Sequence, residues 1–307
     1  MAGRTFRIGT RGSRLALAQT DLALEALRAA APNLSYEVVV IRTRGDRDQR
    51  TPLARLGGRG IFVAELEEAL LRGEIDIAVH SLKDLPSRPA PGLVLAAFPR
   101  RDDPRDCLVS RDGSTLDTLP PAARVGTGSP RRAAQLLALR PDLELVEIRG
   151  NVDTRVRKVM DGQVEAAVLA AAGLLRLGMA DAMAQVLEPE VMLPAAGQGA
   201  IVLEAREVDV EALALCRAAD DPRVRAAVTA ERAFEARFGG GCNAAVAALA
   251  VCEGDSLWLR GLAASPGGQA LFRGEARGPI GQAEDIGQRL ADDLLRRGAG
   301  VLSPRMT

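Results

Sequence analysis

The chain contains a weak internal repeat, and this repeat constrains the architecture of its first two-thirds. Residues 7–10 (RIGT) match residues 124–127 (RVGT). Each copy predicts a strand that ends in Gly-Thr, followed by small residues and then by apolar residues at helical spacing. A proline, Pro32 or Pro141, lies where each helix stops, ahead of a second apolar strand. Each copy therefore predicts a strand-helix-strand unit.

A second pair of matching segments lies further along each copy. Residues 72–79 (RGEIDIAV) correspond to residues 161–168 (DGQVEAAV). Each predicts a short apolar strand after a helix that ends at a glycine. Strands and helices that alternate in this way form parallel sheets covered by helices on both faces. The sequence predicts two similar α/β domains, with a ligand site at the carboxyl ends of the strands.

Two turn-rich stretches mark where the chain passes between these domains. The first crossing lies at 99–105 and the second at 193–199 (LPAAGQG), after which residues 201–206 (IVLEAR) predict a strand that returns to the first sheet. Two crossings predict a hinged cleft, where ligands commonly bind. The predicted domains are domain 1 at 1–99 and 200–219, domain 2 at 100–199, and domain 3 at 220–307.

The third domain is smaller and has a different pattern. Asp221 and Pro222 predict a helix start, because a capping residue is followed by proline at the first helical position. This helix runs to about residue 238, and three glycines follow it. Strands are predicted near 244–252, 256–264 and 270–277, with a final helix from about 281 to 297. The pattern indicates a small C-terminal α+β domain.

The balance of charges excludes classes of partner that need a general electrostatic field. Forty basic and forty acidic side chains give a formal net charge of zero, and aromatic residues make up 3%. We expect no nucleic acid as a partner, because the arginines also form no continuous run. The longest apolar run, 166–175, is shorter than the roughly 18 residues of a membrane span. With no apolar signal segment at the N-terminus, the sequence predicts a cytoplasmic protein without a membrane partner.

Histidine and cysteine are too sparse for a metal site. His80 is the only histidine, and Cys107, Cys216, Cys242 and Cys252 form no CxxC pair, so we predict no bound metal. Cys242 differs from the others because it follows three glycines that leave its sulfur accessible. A buried structural thiol is the alternative for Cys242, and it is the interpretation we favour for the other three.

Arginine supplies nearly all of the positive charge, since Lys83 and Lys158 are the only lysines. Its planar guanidinium group suits carboxylate or phosphate ligands. Several arginines fall where a predicted strand of an α/β unit ends. They are Arg11, Arg131, Arg132, Arg149, Arg155 and Arg176. Each alone is typical of a solvated surface, but together they predict a ligand with several negative groups.

Residues 126–132 (GTGSPRR) form the most specific of these strand-to-helix turns. Backbone N–H groups, the helix dipole and two arginines converge there, with Ser129 at the start of the helix. The third glycine of the dinucleotide-binding fingerprint is absent. A plain helix cap is the alternative to an anion site. Arg11 and Ser13 occupy the corresponding turn of the first copy.

Residues 80–86 (HSLKDLP) follow a strand of the first copy and are polar where the matching residues 169–174 (LAAAGL) are not. This difference between the two copies indicates that residues 80–86 have a function. A carboxylate at Asp84, beside Lys83, can stabilise positive charge or transfer protons. A surface Lys-Asp pair is the alternative. His80 is expected to be packed and hydrogen-bonded rather than to act as a base.

Together these segments resemble the porphobilinogen deaminase family over nearly the whole chain. In chain order the matching segments are 7–13 (RIGTRGS), 43–46 (TRGD), 57–62 (GGRGIF), 76–84 (DIAVHSLKD), 149–151 (RGN), 193–199 (LPAAGQG), 231–232 (ER) and 240–242 (GGC). The resemblance implies two periplasmic-binding-protein-like α/β domains with a hinged cleft, plus a small C-terminal α+β domain.

The same resemblance implies a transferase of tetrapyrrole biosynthesis. Such an enzyme condenses four porphobilinogen molecules head-to-tail, with release of ammonia, to give hydroxymethylbilane. The family builds this product on a dipyrromethane cofactor, here joined by a thioether to Cys242. Asp84 is then the principal catalytic residue, because its carboxylate can stabilise the cation left when ammonia departs and assist deprotonation of the newly joined ring. A monomer is expected.

The same resemblance implies a role for the basic residues, because every pyrrole carries an acetate and a propionate group. The cofactor carboxylates would be held by Lys83, Ser129, Arg131 and Arg132. The substrate or growing chain would be held by Arg11, Ser13, Arg149, Arg155 and Arg176. A Gly/Arg-rich segment at about 47–60, followed by Phe62, is expected to be a mobile lid, with a disordered loop as the alternative.

Two other functions remain open at this point. The first is an anion-binding protein of the same two-domain fold without catalysis. Release of ammonia from porphobilinogen separates that protein from an enzyme. The second is an enzyme of the same chemistry with another oligopyrrole product, which product analysis would identify.

Overall fold

The computed structural model describes residues 4–43, 63–86, 88–239, 245–265 and 267–302. Contacts divide the chain into two units. The first joins Met1–Asp102 to Ala200–Arg225, and the second joins Asp103–Gly199 to Ala226–Thr307. Each unit is therefore assembled from two separate stretches of the chain.

The described elements alternate between strands and helices through the first two-thirds of the chain. In chain order they are β1 (Thr5–Arg11), α1 (Arg14–Ala30), β2 (Ser35–Ile41), α2 (Ala64–Leu71), β3 (Ile77–Ser81), β4 (Leu93–Arg101), β5 (Asp106–Ser110), β6 (Arg124–Gly126), α3 (Pro130–Leu139), β7 (Glu144–Val146), α4 (Val152–Met160), β8 (Ala166–Ala170), α5 (Ala171–Arg176), β9 (Gln185–Leu187), β10 (Ala200–Arg206), α6 (Val210–Ala218), α7 (Pro222–Arg237), β11 (Ala245–Glu253), β12 (Ser256–Ala264), β13 (Leu271–Pro279) and α8 (Ala283–Arg296).

The first two sheets have the same strand order, which confirms the repeat. In the first unit the order is β2-β1-β3-β10-β4, and in the second unit it is β7-β6-β8-β5-β9. The predicted return of residues 201–206 to the first sheet is confirmed, because β10 pairs with both β3 and β4. Helix α1 packs its apolar face, including Leu24 and Leu27, into a core with Ile8 and Ile77 of the sheet.

The prediction of parallel sheets is wrong in one respect, since both sheets are mixed. Strand β10 runs antiparallel to β3, and β5 runs antiparallel to β8. The register places Ile201, near the start of β10, opposite Ser81 at the end of β3. Strand β10 therefore begins at the end of the sheet where β3 ends, and this starting point sets its antiparallel direction.

Matching glycines allow close packing in the two copies. A methyl group added at Gly9 of β1 would come within 2.2 Å of the Ile75 side chain, and one at Gly126 of β6 within 2.6 Å of Ile148. Both isoleucines are buried, so the space beside each glycine is filled by a core side chain. The Gly-Thr signature of the repeat thus has a packing cause.

The last part of the chain forms the predicted small α+β layer of the second unit. Strands β11, β12 and β13 form an antiparallel sheet in that order. Helices α7 and α8 contribute Phe234, Ile286 and Leu290 to its core. Asp221 Oδ1 accepts hydrogen bonds from the backbone N–H groups of Arg223 and Val224, as expected for the capping residue of α7. The predicted fold class is confirmed: two repeated α/β sheets and a small antiparallel sheet with helices.

Candidate active site

The two serines of the matching turns act as helix caps. Ser13 Oγ accepts a hydrogen bond from Ala16 N at 3.2 Å, at the start of α1. Ser129 Oγ accepts one from Arg132 N at 3.4 Å, at the start of α3, where proline occupies the first turn. Capping satisfies N–H groups that the helix itself leaves without a partner. The further roles of Ser13 in substrate binding and of Ser129 in cofactor binding stay predictions.

Arg131 and Arg132, in the first turn of α3, converge on one buried carboxylate. Arg131 Nη1 donates to Asp106 Oδ2 at 2.6 Å and to the Leu193 carbonyl at 2.8 Å. Arg132 donates to Asp106 Oδ1 from Nε at 3.0 Å and from Nη2 at 2.8 Å. Its Nη1 donates to the Val168 carbonyl at 2.8 Å. Both guanidinium groups are thereby held at the carboxyl ends of β6 and β8.

Asp106 begins β5 and is completely buried. Burial alone would raise the pKa of its carboxyl, but the charges and hydrogen bonds of Arg131 and Arg132, with a hydrogen bond from Gln198, hold that pKa far below its usual range. Gln198 Nε2 lies 3.0 Å from Asp106 Oδ1 and also donates to the Pro104 carbonyl at 2.7 Å. The carboxylate is therefore ionised near neutral pH.

Sequence reasoning missed Asp106 and Gln198. Asp106 has one sequence signal, since an acidic residue directly before the apolar strand residues 107–109 needs a positive partner once that strand is buried. Gln198 stands in the LPAAGQG segment, for which the sequence predicts only a crossing. The sequence around Asp106 and Gln198 does not reveal their partners, because Asp106 contacts residues that are 25, 26 and 92 positions away in the sequence.

Three further arginines that the sequence singles out, Arg149, Arg155 and Arg176, also belong to the second unit. Arg155 Nε donates to the Gly150 carbonyl at 2.8 Å within the turn that starts α4. Arg176, at the end of α5, donates to the Gly199 carbonyl at 2.6 Å. Arg149 is partly buried between β7 and α4. Their predicted contacts with substrate stay predictions.

Asp84 and Lys83 lie on a short 3-10 turn, Leu82–Asp84, that directly follows β3. Both side chains are partly exposed. Strand β1, which ends at Arg11, runs parallel to β3, so Arg11 and Asp84 lie toward the same edge of the first sheet. Gln19 Nε2 donates to Ser81 Oγ at 2.6 Å and ties the end of β3 to α1.

His80 is packed and hydrogen-bonded, as expected. Its Nε2 lies 2.9 Å from Oε2 of Glu204 on β10, and both side chains are buried. The interpretation of Cys107 and Cys216 as buried thiols is also confirmed, because both are completely buried. This burial raises the pKa of each to about 12. A thiol with so high a pKa stays protonated and unreactive near neutral pH. Cys252, near the end of β11, packs against the core of the small antiparallel sheet but is only partly buried, so the prediction of a buried thiol holds only in part for that residue.

Some predicted features fall outside the described residues. They are Cys242, the segment at 47–60 and Phe62. Within the described ranges, no group of three or more His, Cys, Asp or Glu residues is arranged to hold a metal ion. Among the helices of those same ranges, none combines the length and the apolar character that crossing a bilayer requires.

The fold and these side chains define a class, a repeated α/β protein with arginines gathered at its strand ends. Comparison with models of known protein families identifies the family within this class. The model described as "Porphobilinogen deaminase, dipyromethane cofactor binding domain" matches residues 6–214, and "Porphobilinogen deaminase, C-terminal domain" matches residues 225–296. The chain belongs to the porphobilinogen deaminase family.

Curated relatives agree with the family models. Proteins named porphobilinogen deaminase from Roseiflexus castenholzii and Syntrophus aciditrophicus are 53% and 49% identical to the chain, each over 97% of its length and over 98% and 97% of their own. A solved VFT2 domain of Bordetella pertussis BvgS aligns with 70% of the chain and 86% of its own, at 19% identity and a TM-score of 0.42. The protein is thus a transferase of porphyrin biosynthesis that acts on porphobilinogen and has a dipyrromethane cofactor-binding domain.

The buried donors of the second unit fit a group that carries carboxylates. In the described residues, the contacts of Arg132 with Asp106 and Val168 engage three of its five N–H groups. Both guanidinium groups contact Asp106 and are buried. An additional carboxylate is the natural partner for such donors.

Proposed function

We propose that the chain condenses four porphobilinogen molecules head-to-tail, with release of ammonia, to give hydroxymethylbilane, and that it does so on a dipyrromethane cofactor bound through a thioether to Cys242. The observation that carries this proposal is the buried pair Arg131 and Arg132, held at the start of α3 in a chain of this family. Guanidinium groups in that position suit a ligand with several carboxylates.

The cofactor supplies the pyrrole chain to which substrate units are joined. Arg131, Arg132, Ser129 and Lys83 are proposed to hold its carboxylates. Two guanidinium groups orient a planar ring more strictly than a single point charge does, because each can form paired hydrogen bonds with a carboxylate. The buried arginines would also move little on binding, since Asp106 already fixes them.

Asp84 is proposed as the catalytic residue. Its position on a partly exposed turn at the end of β3 leaves the carboxylate accessible to a substrate pyrrole. An ionised carboxylate stabilises the positive charge that develops on the substrate as ammonia departs, and it can then accept a proton from the newly joined ring. Arg11, Ser13, Arg149, Arg155 and Arg176 are proposed to bind the carboxylates of the substrate or of the growing chain.

The test combines intact mass under denaturing conditions with product analysis. The wild-type chain is expected to exceed its sequence mass by two linked pyrrole units, and the Cys242→Ser variant is expected to lack this excess. Wild-type protein should release ammonia from porphobilinogen and form hydroxymethylbilane. A chain that gains no mass from added porphobilinogen and releases no ammonia would contradict the proposal and favour the anion-binding alternative.

We further infer a cytoplasmic monomer without a nucleic-acid partner. Equal numbers of basic and acidic side chains support this, because they give the chain no general attraction to polyanions. Sedimentation velocity at micromolar concentration should give the 32.4 kDa mass of one chain. A concentration-dependent shift to twice that mass would contradict the monomer.

A further inference from the structure

We propose that Asp106 is a positioning residue for cofactor binding: it fixes the guanidinium groups of Arg131 and Arg132 in the orientation in which they receive the cofactor carboxylates. This inference rests on the proposed function, because it assigns Asp106 to the site where the two arginines hold the cofactor. Asp106 does not itself contact the ligand, since it is completely buried behind the arginines.

The hydrogen-bond geometry supports a positioning role. Both carboxylate oxygens of Asp106 accept hydrogen bonds from the arginines: Oδ2 accepts from Arg131 Nη1, and Oδ1 accepts from Arg132 Nε and Nη2 and, at 3.4 Å, from Arg131 Nη2. A guanidinium group that donates through Nε and Nη2 to one oxygen has the plane of its fork fixed. The Leu193 carbonyl accepts a second hydrogen bond from Arg131 Nη1, and the Val168 carbonyl accepts one from Arg132 Nη1, on the side of that fork away from Asp106. Rotation of either arginine therefore breaks at least one buried charged hydrogen bond.

Gln198 links this carboxylate to a second part of the chain. Its side-chain amide donates both to Asp106 Oδ1 and to the Pro104 carbonyl. Residues 193–199 follow β9 and precede β10, so the carboxylate joins this segment to the start of β5. The positions of both arginines thus depend on a hydrogen-bond network centred on Asp106 that draws on four stretches of chain, around residues 104–106, 131–132, 168 and 193–198.

The balance of charge also supports this assignment. A pair of buried guanidinium groups without a carboxylate would repel each other and resist burial. The Asp106 carboxylate between the two guanidinium groups offsets that repulsion and allows both to stay buried. The arrangement therefore suits a site that must be stable before its ligand arrives.

The experiment measures covalent loading of apo-protein with porphobilinogen by intact mass, together with the melting temperature of the apo-protein. Apo-protein is produced in cells that cannot make porphobilinogen. Asp106→Asn should need roughly tenfold more porphobilinogen for half-maximal loading, because it loses charge-assisted hydrogen bonds to both arginines. Asp103→Asn is the matched control. Asp103 pairs with Arg105 in the same stretch, and its removal should leave loading unchanged.

A double-mutant comparison separates positioning from a merely structural role. If Asp106 acts through the arginines, Asp106→Asn should add less than about threefold to the loading defect of Arg132→Gln, whereas independent effects would multiply. Loading of Asp106→Asn at the wild-type porphobilinogen concentration, or multiplied effects in the double variant, would overturn the assignment.

Folding failure of Asp106→Asn would not leave the assignment untested. Gln198→Met keeps all three charges and removes one hydrogen bond to Asp106, so it should remain folded and require roughly threefold more porphobilinogen. Unchanged loading of a folded Gln198→Met would then overturn the assignment. Wild-type protein that gains no mass would instead contradict the proposed function itself, so the two failures are distinguishable.

Discussion

Asp84 and Asp106 are both carboxylates beside basic residues, but their surroundings give them different chemistry. Asp106 is buried, and Arg131 and Arg132 hold its pKa far below its usual range, so it is ionised near neutral pH. Asp84 is partly exposed on a short turn beside Lys83, where a substrate can reach it. Asp106 is therefore suited to orienting the two arginines, whereas Asp84 is suited to taking part in the reaction itself.

Asp84→Asn should separate chemistry from folding. We expect turnover of porphobilinogen to fall at least about 100-fold, because the amide can neither balance a cation nor accept a proton. The melting temperature should stay within about 3 °C of wild type, since the side chain is partly exposed. Ammonia release and thermal unfolding are measured on the same preparation, with Asp181→Asn, on an exposed turn, as the control. Near-normal turnover would remove Asp84 from the catalytic role.

The residues that sequence reasoning can identify are those with local signals. Ser13, Ser129 and Asp221 all follow from the rules of helix capping, and the structure shows each as a cap. No comparable rule points to Asp106. Its role depends on side chains that are distant in sequence and meet only after β5 joins the second sheet.

At the level of elements, a carboxylate network ties the N-terminal strand to the end of β10. Asp76, just before β3, accepts hydrogen bonds from Arg7 N and Nη2 at 2.9 Å, from Arg4 Nη2 at 3.0 Å and from Arg206 Nη2 at 3.2 Å. Burial raises the pKa of Asp76, but the hydrogen bonds from Arg7 and Arg4 outweigh this effect and lower the pKa to about 2. The ionised form therefore stabilises the fold.

This network predicts a pH dependence of stability. The unfolded pKa of aspartate is about 3.9, so the contribution of Asp76 is fully present above that value and is lost as the pH falls toward 2. Asp76→Asn should lower the free energy of unfolding by about 2 kcal/mol at pH 7. The difference from wild type should shrink at about pH 3. Urea unfolding at both pH values measures it, and a difference that does not change with pH would contradict the assignment.

Packing between β1 and the segment before β3 provides a second prediction at this level. Gly9→Ala places a methyl group 2.2 Å from Ile75 Cδ1 and 3.3 Å from two other carbons of that side chain. We expect a loss of about 1–3 kcal/mol in the free energy of unfolding from this overpacking. Ile75→Val removes Cδ1, so the double variant should lose less than the sum of the two single variants, by about 1 kcal/mol. Strictly additive urea-unfolding results would show that the clash is relieved elsewhere.

For the whole molecule, the repeat predicts two sheets of the same construction, because strand, glycine turn and helix are all encoded within short stretches. The direction of β10 and β5 cannot be predicted in this way. Both strands are apolar runs that suit either direction, and only the edge at which the chain reaches each sheet makes them antiparallel. The roles of the arginines and of Asp84 come from resemblance to a family rather than from spacing.

The discontinuous first unit leads to a prediction about fragments. A chain that stops at Asp102 lacks β10, which lies between β3 and β4 in the sheet, and should not fold. Arg101 of β4 and Ala200 of β10 are antiparallel partners. A short glycine-rich turn from Arg101 to Ala200, followed by the chain to Arg225, should therefore restore a folded unit. Circular dichroism and thermal unfolding compare the two fragments, and a cooperative transition in the shorter one would contradict this prediction.

The placement of β10 also sets an order of events during synthesis. The first sheet is incomplete when Asp102 leaves the ribosome, and it cannot be completed until the chain has been synthesised as far as Arg206. At ~5–20 residues per second this delay is roughly 5–20 s. During that time the whole second sheet, from β5 to β9, is translated. The part of the protein that is made first is thus the later of the two sheets to be finished, and the edges of β3 and β4 that pair with β10 stay exposed to aggregation until β10 has been made.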